Sequence, residues 1–146
     1  MRINQLRENK NGQRSMRLFR KNGGKVYTFA QLPNLAKKAI LEYTYHNGDI
    51  PLDTVKARRY GLVNIPMEKM IESIMEDEEI AENFDTFGEY HRSYEYWDEP
   101  SSTYNQLWPV ILSDYNDETL QDGWHRFHAY YERGVKTVPA ILIENI

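Results

Sequence analysis

Apolar side chains recur every three or four residues in three stretches of the chain, which is the period of one face of an α-helix. The stretches are residues 29–43, 67–75 and 124–131. Each predicts an amphipathic helix whose apolar face packs against a core. Residues 138–143 are almost continuously apolar and predict a buried β-strand that follows the third helix.

Capping and turn residues bound these helices. Thr28 and Gln31 have the spacing of a capping box ahead of the first helix. Gly48 and Gly134 follow the first and third apolar stretches and predict ends in the left-handed conformation.

Shorter elements are predicted between these helices. Asp53 is a candidate N-cap for a short helix that ends at Gly61, and residues 62–65 predict a short strand. Residues 110–112 and 118–121 predict two strands joined by a turn rich in Asp and Asn. Helices and strands in this order predict an α+β fold with a mixed sheet.

Length and composition narrow the class of protein. With 146 residues, 40% of them hydrophobic, the chain can bury one ordinary core. The absence of cysteine excludes disulfides, thiolate zinc sites and cysteine nucleophiles. No apolar run approaches the roughly 18 residues of a membrane span, and no signal peptide is evident, so we expect a soluble, cytoplasmic protein without a membrane partner.

Charge is distributed unevenly around a net value of −4. The first 25 residues hold eight basic residues against Glu8 alone and few large apolar groups. They predict a mobile arm or an edge strand, more readily a solvated tail than a phosphate contact. Residues 67–100 hold twelve acidic residues against two basic ones, a balance of −10.

Residues 84–108 combine acids with aromatic side chains and lose regular periodicity. Exposed Tyr and Trp suit a recognition loop, because they offer large contact area with little rotamer entropy to lose. A long loop folded over the core with its rings inside is an equally good interpretation. The candidate partner-binding residues are Tyr90, Tyr94, Tyr96 and Trp97.

The most informative stretch joins a strand, Gly123 and a helix. The first amides of a helix have no intrahelical acceptor, and together with the helix dipole they favour an anion. Arg126 can add a bidentate fork for phosphate oxygens, and His125 can donate to the anion or transfer a proton. His128 falls on the apolar face and predicts core packing.

A purely structural interpretation of this stretch competes with the functional one. Strand-glycine-helix junctions are frequent, and an arginine in a first helical turn often pairs with a nearby acid. On spacing alone the structural interpretation is favoured. The functional one requires a helix N-terminus that is open to solvent with the guanidinium beside it.

The sequence "DGWHRFHAYYERGVKTVPAILI" resembles the signature of the ParB/sulfiredoxin superfamily, in which a D-G-x-H-R-x-x-A box opens a helix that is followed by a glycine and an (I/V)-P strand. The segment "IPMEKMIESI" is similar to the first strand and helix of that family, so the resemblance covers about residues 61–143. The matching residues are Asp122, Gly123, His125, Arg126, Ala129, Gly134, Val138 and Pro139.

The resemblance implies a small α+β domain over residues 61–146, with residues 84–108 as an insertion and residues 1–60 as a basic arm and helical extension. Family members are nucleotide-hydrolysing DNA clamps, ATP-dependent sulfinic acid reductases and nucleases. Carried over, the phosphate-binding residues are Gly123, Trp124, His125 and Arg126, with Lys69 and Ser73 from the preceding helix.

Two differences from the family signature limit the functions that the resemblance implies. Trp124 stands where the reductases have their catalytic cysteine, which excludes sulfinic acid reduction. No helix-turn-helix follows the box, so we expect a stand-alone member. "VYTFAQLPNLAKKAI" resembles a stretch of small bacteriophage proteins and favours a phage or mobile-element source.

Two functions remain open. In the first, the box binds a nucleotide or nucleic-acid phosphate with Mg²⁺, and hydrolysis would use Arg126 for charge stabilisation and His125 for proton transfer. Asp114, Asp117 and Asp122 are available to a metal but lack a recognised ligand spacing. In the second, a non-catalytic phage or mobile-element protein inhibits a host protein through its acidic aromatic loop.

Overall fold

The secondary structure contains both helices and strands, as the helical and strand patterns of apolar residues predict. A computed structural model describes residues 16–46, 48, 50–94, 108–114 and 119–144. Its helices are α1 (residues 16–21), α2 (Asn34–His46), α3 (Leu52–Ala57), α4 (Met67–Met75), α5 (Glu78–Asn83), α6 (Phe87–Ser93) and α7 (Trp124–Glu132). Its strands are β1 (Val26–Thr28), β2 (Arg59–Pro66), β3 (Val110–Asp114), β4 (Thr119–Asp122) and β5 (Thr137–Ile143).

The strands form one mixed sheet in the order β1-β2-β5-β3-β4. β5 pairs antiparallel with β2 and parallel with β3, while β1 and β4 are the antiparallel outer strands. The predicted α+β class is therefore confirmed. β4 leads directly into α7, which returns the chain to the centre of the sheet at β5.

Side chains alternate along β5 between two apolar layers. Ile141 and Ile143 pack with residues of α2 and α3, whereas Ala140 and Leu142 pack with residues of α1, α4, α6 and α7. Helices thus cover both faces of the sheet. The predicted division at residue 60 falls within β2, and residues on both sides of it contribute to the same sheet.

Several predicted elements are confirmed close to their expected bounds. α4, α7 and β5 occupy the stretches with the clearest apolar pattern, and Gly48 and Gly134 have φ values of 88° and 72°. The Thr28 N–H donates to Gln31 Oε1 at 2.9 Å, but it caps a single 3-10 turn, and α2 begins only at Asn34.

The interpretation of residues 16–25 as part of a mobile arm is wrong. Met16 and Phe19 are buried, with exposures of 4% and 6%. The Phe19 ring lies so close to Gly61 that a Cβ there would be 2.6 Å from it. Gly61 lies inside β2 and not at the end of a helix. Its lack of a side chain leaves room for the Phe19 ring. The first 15 residues of the predicted arm lie outside the described residues.

The prediction that residues 84–108 lack regular structure is wrong for residues 87–93, which form α6. Thr86 caps α6 by accepting from the Glu89 N–H at 3.2 Å. Phe87 and His91, one turn apart, are buried. Tyr96 and Trp97 lie outside the described residues. Within the described ranges, no helix has both the length and the hydropathy to cross a bilayer.

Candidate functional site

The N-terminus of α7 is built on a glycine in the left-handed conformation. Gly123 has φ 94° and follows β4 without a gap. A Cβ at this position would lie 2.9 Å from Arg126 Nη2 and 3.0 Å from Val110 Cγ1. Both the backbone conformation and the space therefore require glycine. The amides of the first turn of α7 have no acceptor within the helix, as at any helix start.

Arg126 lies inside the protein rather than at its surface. The residue is 3% exposed, and its Nη1 donates to Glu42 Oε1 on α2 at 3.1 Å. Nη2 is 4.0 Å from Asp122 Oδ2. The expectation of a solvent-open guanidinium is wrong, because a carboxylate 84 positions earlier in the chain reaches it across the end of the sheet.

The other edge of the same guanidinium lacks acceptors. Nε and Nη2 of Arg126 are buried, and neither has a hydrogen-bond partner within the described residues. These two nitrogens lie 3.2 and 2.9 Å from the Cβ position of Gly123, so this edge faces the start of α7. The Trp108 ring lies 6.0 Å from the guanidinium carbon. Buried charged donors without acceptors are costly to the fold, so this edge requires a physical explanation.

Two carboxylates, those of Glu42 and Asp122, lie near the Arg126 guanidinium. The Glu42 side chain is 37% exposed and its Oε1 is also 4.0 Å from Nε2 of the more exposed His46. Tyr43 lies in the same cluster, and burial followed by the Asp122 carboxylate raises its pKa. One guanidinium thus faces two partly exposed carboxylates, with side-chain exposures of 37% for Glu42 and 27% for Asp122.

His125 and Arg126 point to different sides of α7. The His125 ring meets Tyr94 edge-on at 5.5 Å between centroids, and Tyr94 in turn stacks on His128 at 3.9 Å. Arg126 points towards α2 and Trp108 instead. The structure therefore places the two predicted catalytic residues in separate environments, because adjacent helical residues differ by about 100° in direction.

A second polar group lies between α6 and α7, and sequence reasoning missed two of its three members. Glu132 Oε2 lies 2.7 Å from His91 Nε2, and His91 Nδ1 lies 2.9 Å from His128 Nδ1. His128 is fully buried, as its position on the apolar face predicts, and its Nε2 has no hydrogen-bond partner within the described part of the chain. Burial, followed by His91 and His125, lowers the pKa of His128 to about 3.

The remaining predicted site residues lie on α4, on α6 or directly after it, and at the first position of α7. Lys69 is exposed and Ser73 half-buried, one turn apart on α4, and α4 contacts β4. Trp124 is half-buried and packs on the apolar core. Tyr90 and Tyr94 are half-buried against His128. Over the described ranges, no three His, Asp or Glu side chains are grouped so that they could hold a metal ion.

Comparisons with known proteins assign no family to this chain. A scan against protein-family models finds no match, and searches of curated proteins and of solved structures give no significant match either. Two groups of polar side chains bear on function: Arg126 with Glu42 and Asp122, and His91 with His128 and Glu132.

Proposed function

We propose that the start of α7 binds a phosphate group of a nucleotide or nucleic acid, and that Arg126 is its principal ligand. The observation that carries the proposal is the edge formed by Nε and Nη2 of Arg126, which is buried, has no acceptor within the described residues and faces Gly123. Nη2 and Nε lie 2.9 and 3.2 Å from the Cβ position of Gly123, so an oxyanion would accept from both nitrogens and from the first amides of the helix only after the guanidinium moves away from Gly123.

The ion pair with Glu42 shapes how such a ligand binds. Glu42 and Asp122 place two negative charges near one guanidinium, which opposes the approach of an anion. Glu42 is the more exposed of the two partners, and rotation of its side chain towards His46 would release Nη1. Release of Nη1 would free the guanidinium to move away from Gly123 and meet the phosphate, so the phosphate exchanges with the Glu42 carboxylate and Glu42 weakens its affinity.

We propose that this site binds phosphate without hydrolysing it. His125, the predicted proton-transfer residue, lies against Tyr94 on the other side of α7. Mg²⁺ would be coordinated chiefly by the phosphates and water, as is usual for this ion, because the described residues offer no three-ligand cluster. Lys69 and Ser73, on a helix that contacts β4, are the candidates for additional phosphate contacts.

Binding of pyrophosphate and of nucleoside triphosphates, measured by calorimetry with and without Mg²⁺, tests the proposal. Arg126→Lys keeps the charge but removes the bidentate edge, so we expect affinity to fall by about tenfold or more. Glu42→Gln removes the competing charge and is expected to raise affinity several-fold. Glu82→Gln, an exposed acid on α5, is the matched control and should bind as the unmodified chain does.

Equal affinity of Arg126→Lys and the unmodified chain would contradict the role of the guanidinium edge. Loss of binding in Arg126→Lys together with unchanged binding in Glu42→Gln would retain the phosphate site and refute the exchange with Glu42. Melting temperatures of the variants in the absence of ligand separate lost affinity from lost stability.

A second candidate function is binding of a basic protein partner, and the exposed acidic surface of α4 to α6 favours it. Residues 70–91 contain no Lys or Arg. Such a surface attracts a basic partner and speeds its association. Its exposed carboxylates belong to Glu72, Glu76, Asp77, Glu78, Glu79, Glu82, Asp85 and Glu89.

A pull-down of host proteins tests this candidate. We expect the unmodified chain to retain a basic protein that elutes at raised salt, and the double variants Glu78→Lys/Glu82→Lys and Tyr96→Ala/Trp97→Ala each to retain less of it. Equal retention by all three chains would show that neither the acidic surface nor the aromatic segment forms the contact.

A further inference from the structure

The two imidazoles between α6 and α7 are arranged so that they share a single proton. The Nδ1 atoms of His91 and His128 are 2.9 Å apart, the ring centroids are 5.1 Å apart, and the ring planes differ by 15°. The rings are thus nearly coplanar, with the two nitrogens pointing at each other. One of the nitrogens must carry the proton and the other must accept it.

Proton counting shows which charge states this contact allows. With Glu132 ionised, His91 Nε2–H donates to its carboxylate, and in the neutral pair His128 Nδ1–H donates to His91 Nδ1. One additional proton is accommodated on His128 Nε2 if the Nδ1 proton of His128 moves to His91 Nδ1. His91 is then an imidazolium that donates from both nitrogens, to Glu132 and to the Nδ1 of His128. A second additional proton places N–H groups on both facing nitrogens, and the hydrogen bond is lost.

The described side chains that pack on His128 are mostly aromatic rings. Phe87 and Tyr94 stack on His128, which is fully buried, and α4 adds the apolar Met70 and Ile74 to the core around Phe87. Glu132, with a side chain 51% exposed, contacts His91. Among the described residues, the titratable or charged side chains around the pair are Asp77, which acts on Tyr90, and Tyr90, Arg92, Tyr94, His125, Tyr131 and Glu132.

We propose that the contact between His91 and His128 is a pH-dependent switch, in which protonation of both imidazoles separates α6 from α7. The separation would expose the inward rings of α6, Phe87 and Tyr90, together with Tyr94. The step consists of proton uptake from solvent and loss of one N–H···N hydrogen bond. It creates an aromatic surface that is available only in acid.

The steepness of this switch follows from the protons that the two states bind. His128 titrates with a pKa of about 3 when α6 is in place, whereas a solvent-exposed histidine has a pKa of about 6.5. Between these values the separated state binds one more proton than the packed state. The ratio of separated to packed molecules therefore rises up to about tenfold for each pH unit of acidification.

Hydrogen exchange of the α6 amides, measured from pH 7.5 to 4.5 and corrected for the intrinsic pH dependence of exchange, tests the proposal. In the unmodified chain we expect the opening of α6 to increase up to about tenfold per pH unit below pH 6.5. His128→Phe retains a buried ring but cannot be protonated, so the opening of α6 should become nearly independent of pH. His128→Gln is a second non-titrating variant if the first does not fold.

Two matched variants identify the titrating group. His125→Gln removes the neighbouring imidazole, and Glu132→Gln retains a hydrogen-bond acceptor for His91 without the charge. Both should preserve the pH dependence of α6. A pH-independent opening in the unmodified chain, an unaltered pH dependence in His128→Phe, or its loss in Glu132→Gln would each overturn the proposal.

Discussion

Gly123→Ala is expected to lower the free energy of unfolding by about 2–5 kcal/mol. Roughly 1–2 kcal/mol comes from placing a side chain in the left-handed conformation, since Gly123 has φ 94°. A further 1–3 kcal/mol is typical of overpacking, because the new Cβ would lie 2.9 Å from Arg126 Nη2 and 3.0 Å from Val110 Cγ1. Urea unfolding monitored by tryptophan fluorescence measures the change.

Gly134→Ala is the matched control for this effect. Gly134 also has positive φ, at 72°, but no atom lies within 4 Å of the position that its Cβ would occupy. Gly134→Ala should therefore lower the free energy of unfolding only by the conformational cost of about 1–2 kcal/mol. If the two variants lose equal stability, the close contact between Gly123 and the Arg126 guanidinium does not constrain the start of α7.

Acidification from pH 6.5 to 4.5 is expected to lower the free energy of unfolding by about 2–3 kcal/mol through His128. The folded chain keeps this imidazole neutral down to a pKa of about 3, whereas the unfolded chain protonates it near pH 6.5. The unfolded state therefore binds more protons between these values, and stability rises with pH across that window. Below pH 3 both states are protonated, and this contribution no longer changes with pH.

Comparison with His128→Phe isolates this contribution from that of the many carboxylates. Denaturant unfolding at several pH values should give a shallower dependence for the variant, by about 2–3 kcal/mol over the same two pH units. If α6 separates before the chain unfolds, the free energy of unfolding of the unmodified protein stops falling through His128 below the pH at which this imidazole becomes protonated. Parallel curves for the two proteins would show that His128 is not held neutral.

Local sequence patterns predicted those elements whose apolar positions repeat without interruption. The methionines and isoleucines of α4, the aromatic face of α7 and the apolar run of β5 lie within a few residues of their predicted places. The apolar pattern does not predict α6, because His91 takes part in its inward face beside Phe87 and Tyr90. A buried imidazole counts as polar in a pattern of apolar positions, although it packs here as an aromatic ring.

Contacts between distant parts of the chain account for the other errors. Gly61 was interpreted as a helix end, but the ring of Phe19, 42 positions earlier, packs against it inside a strand. Arg126 was expected to face solvent, and its partner Glu42 comes from a helix on the opposite face of the sheet. The spacing of residues 122–126 contains no information about either partner.

The position of β5 constrains how the chain folds. The pairs β1-β2 and β3-β4 meet only through β5, and Pro66 of β2 faces Thr137 of β5, 71 positions further along the chain. The five-stranded sheet is therefore complete only when β5, which comes late in the chain, inserts between β2 and β3. Because long loops must close before such contacts are made, refolding should be limited by strand insertion and proceed more slowly than in helical proteins of the same size.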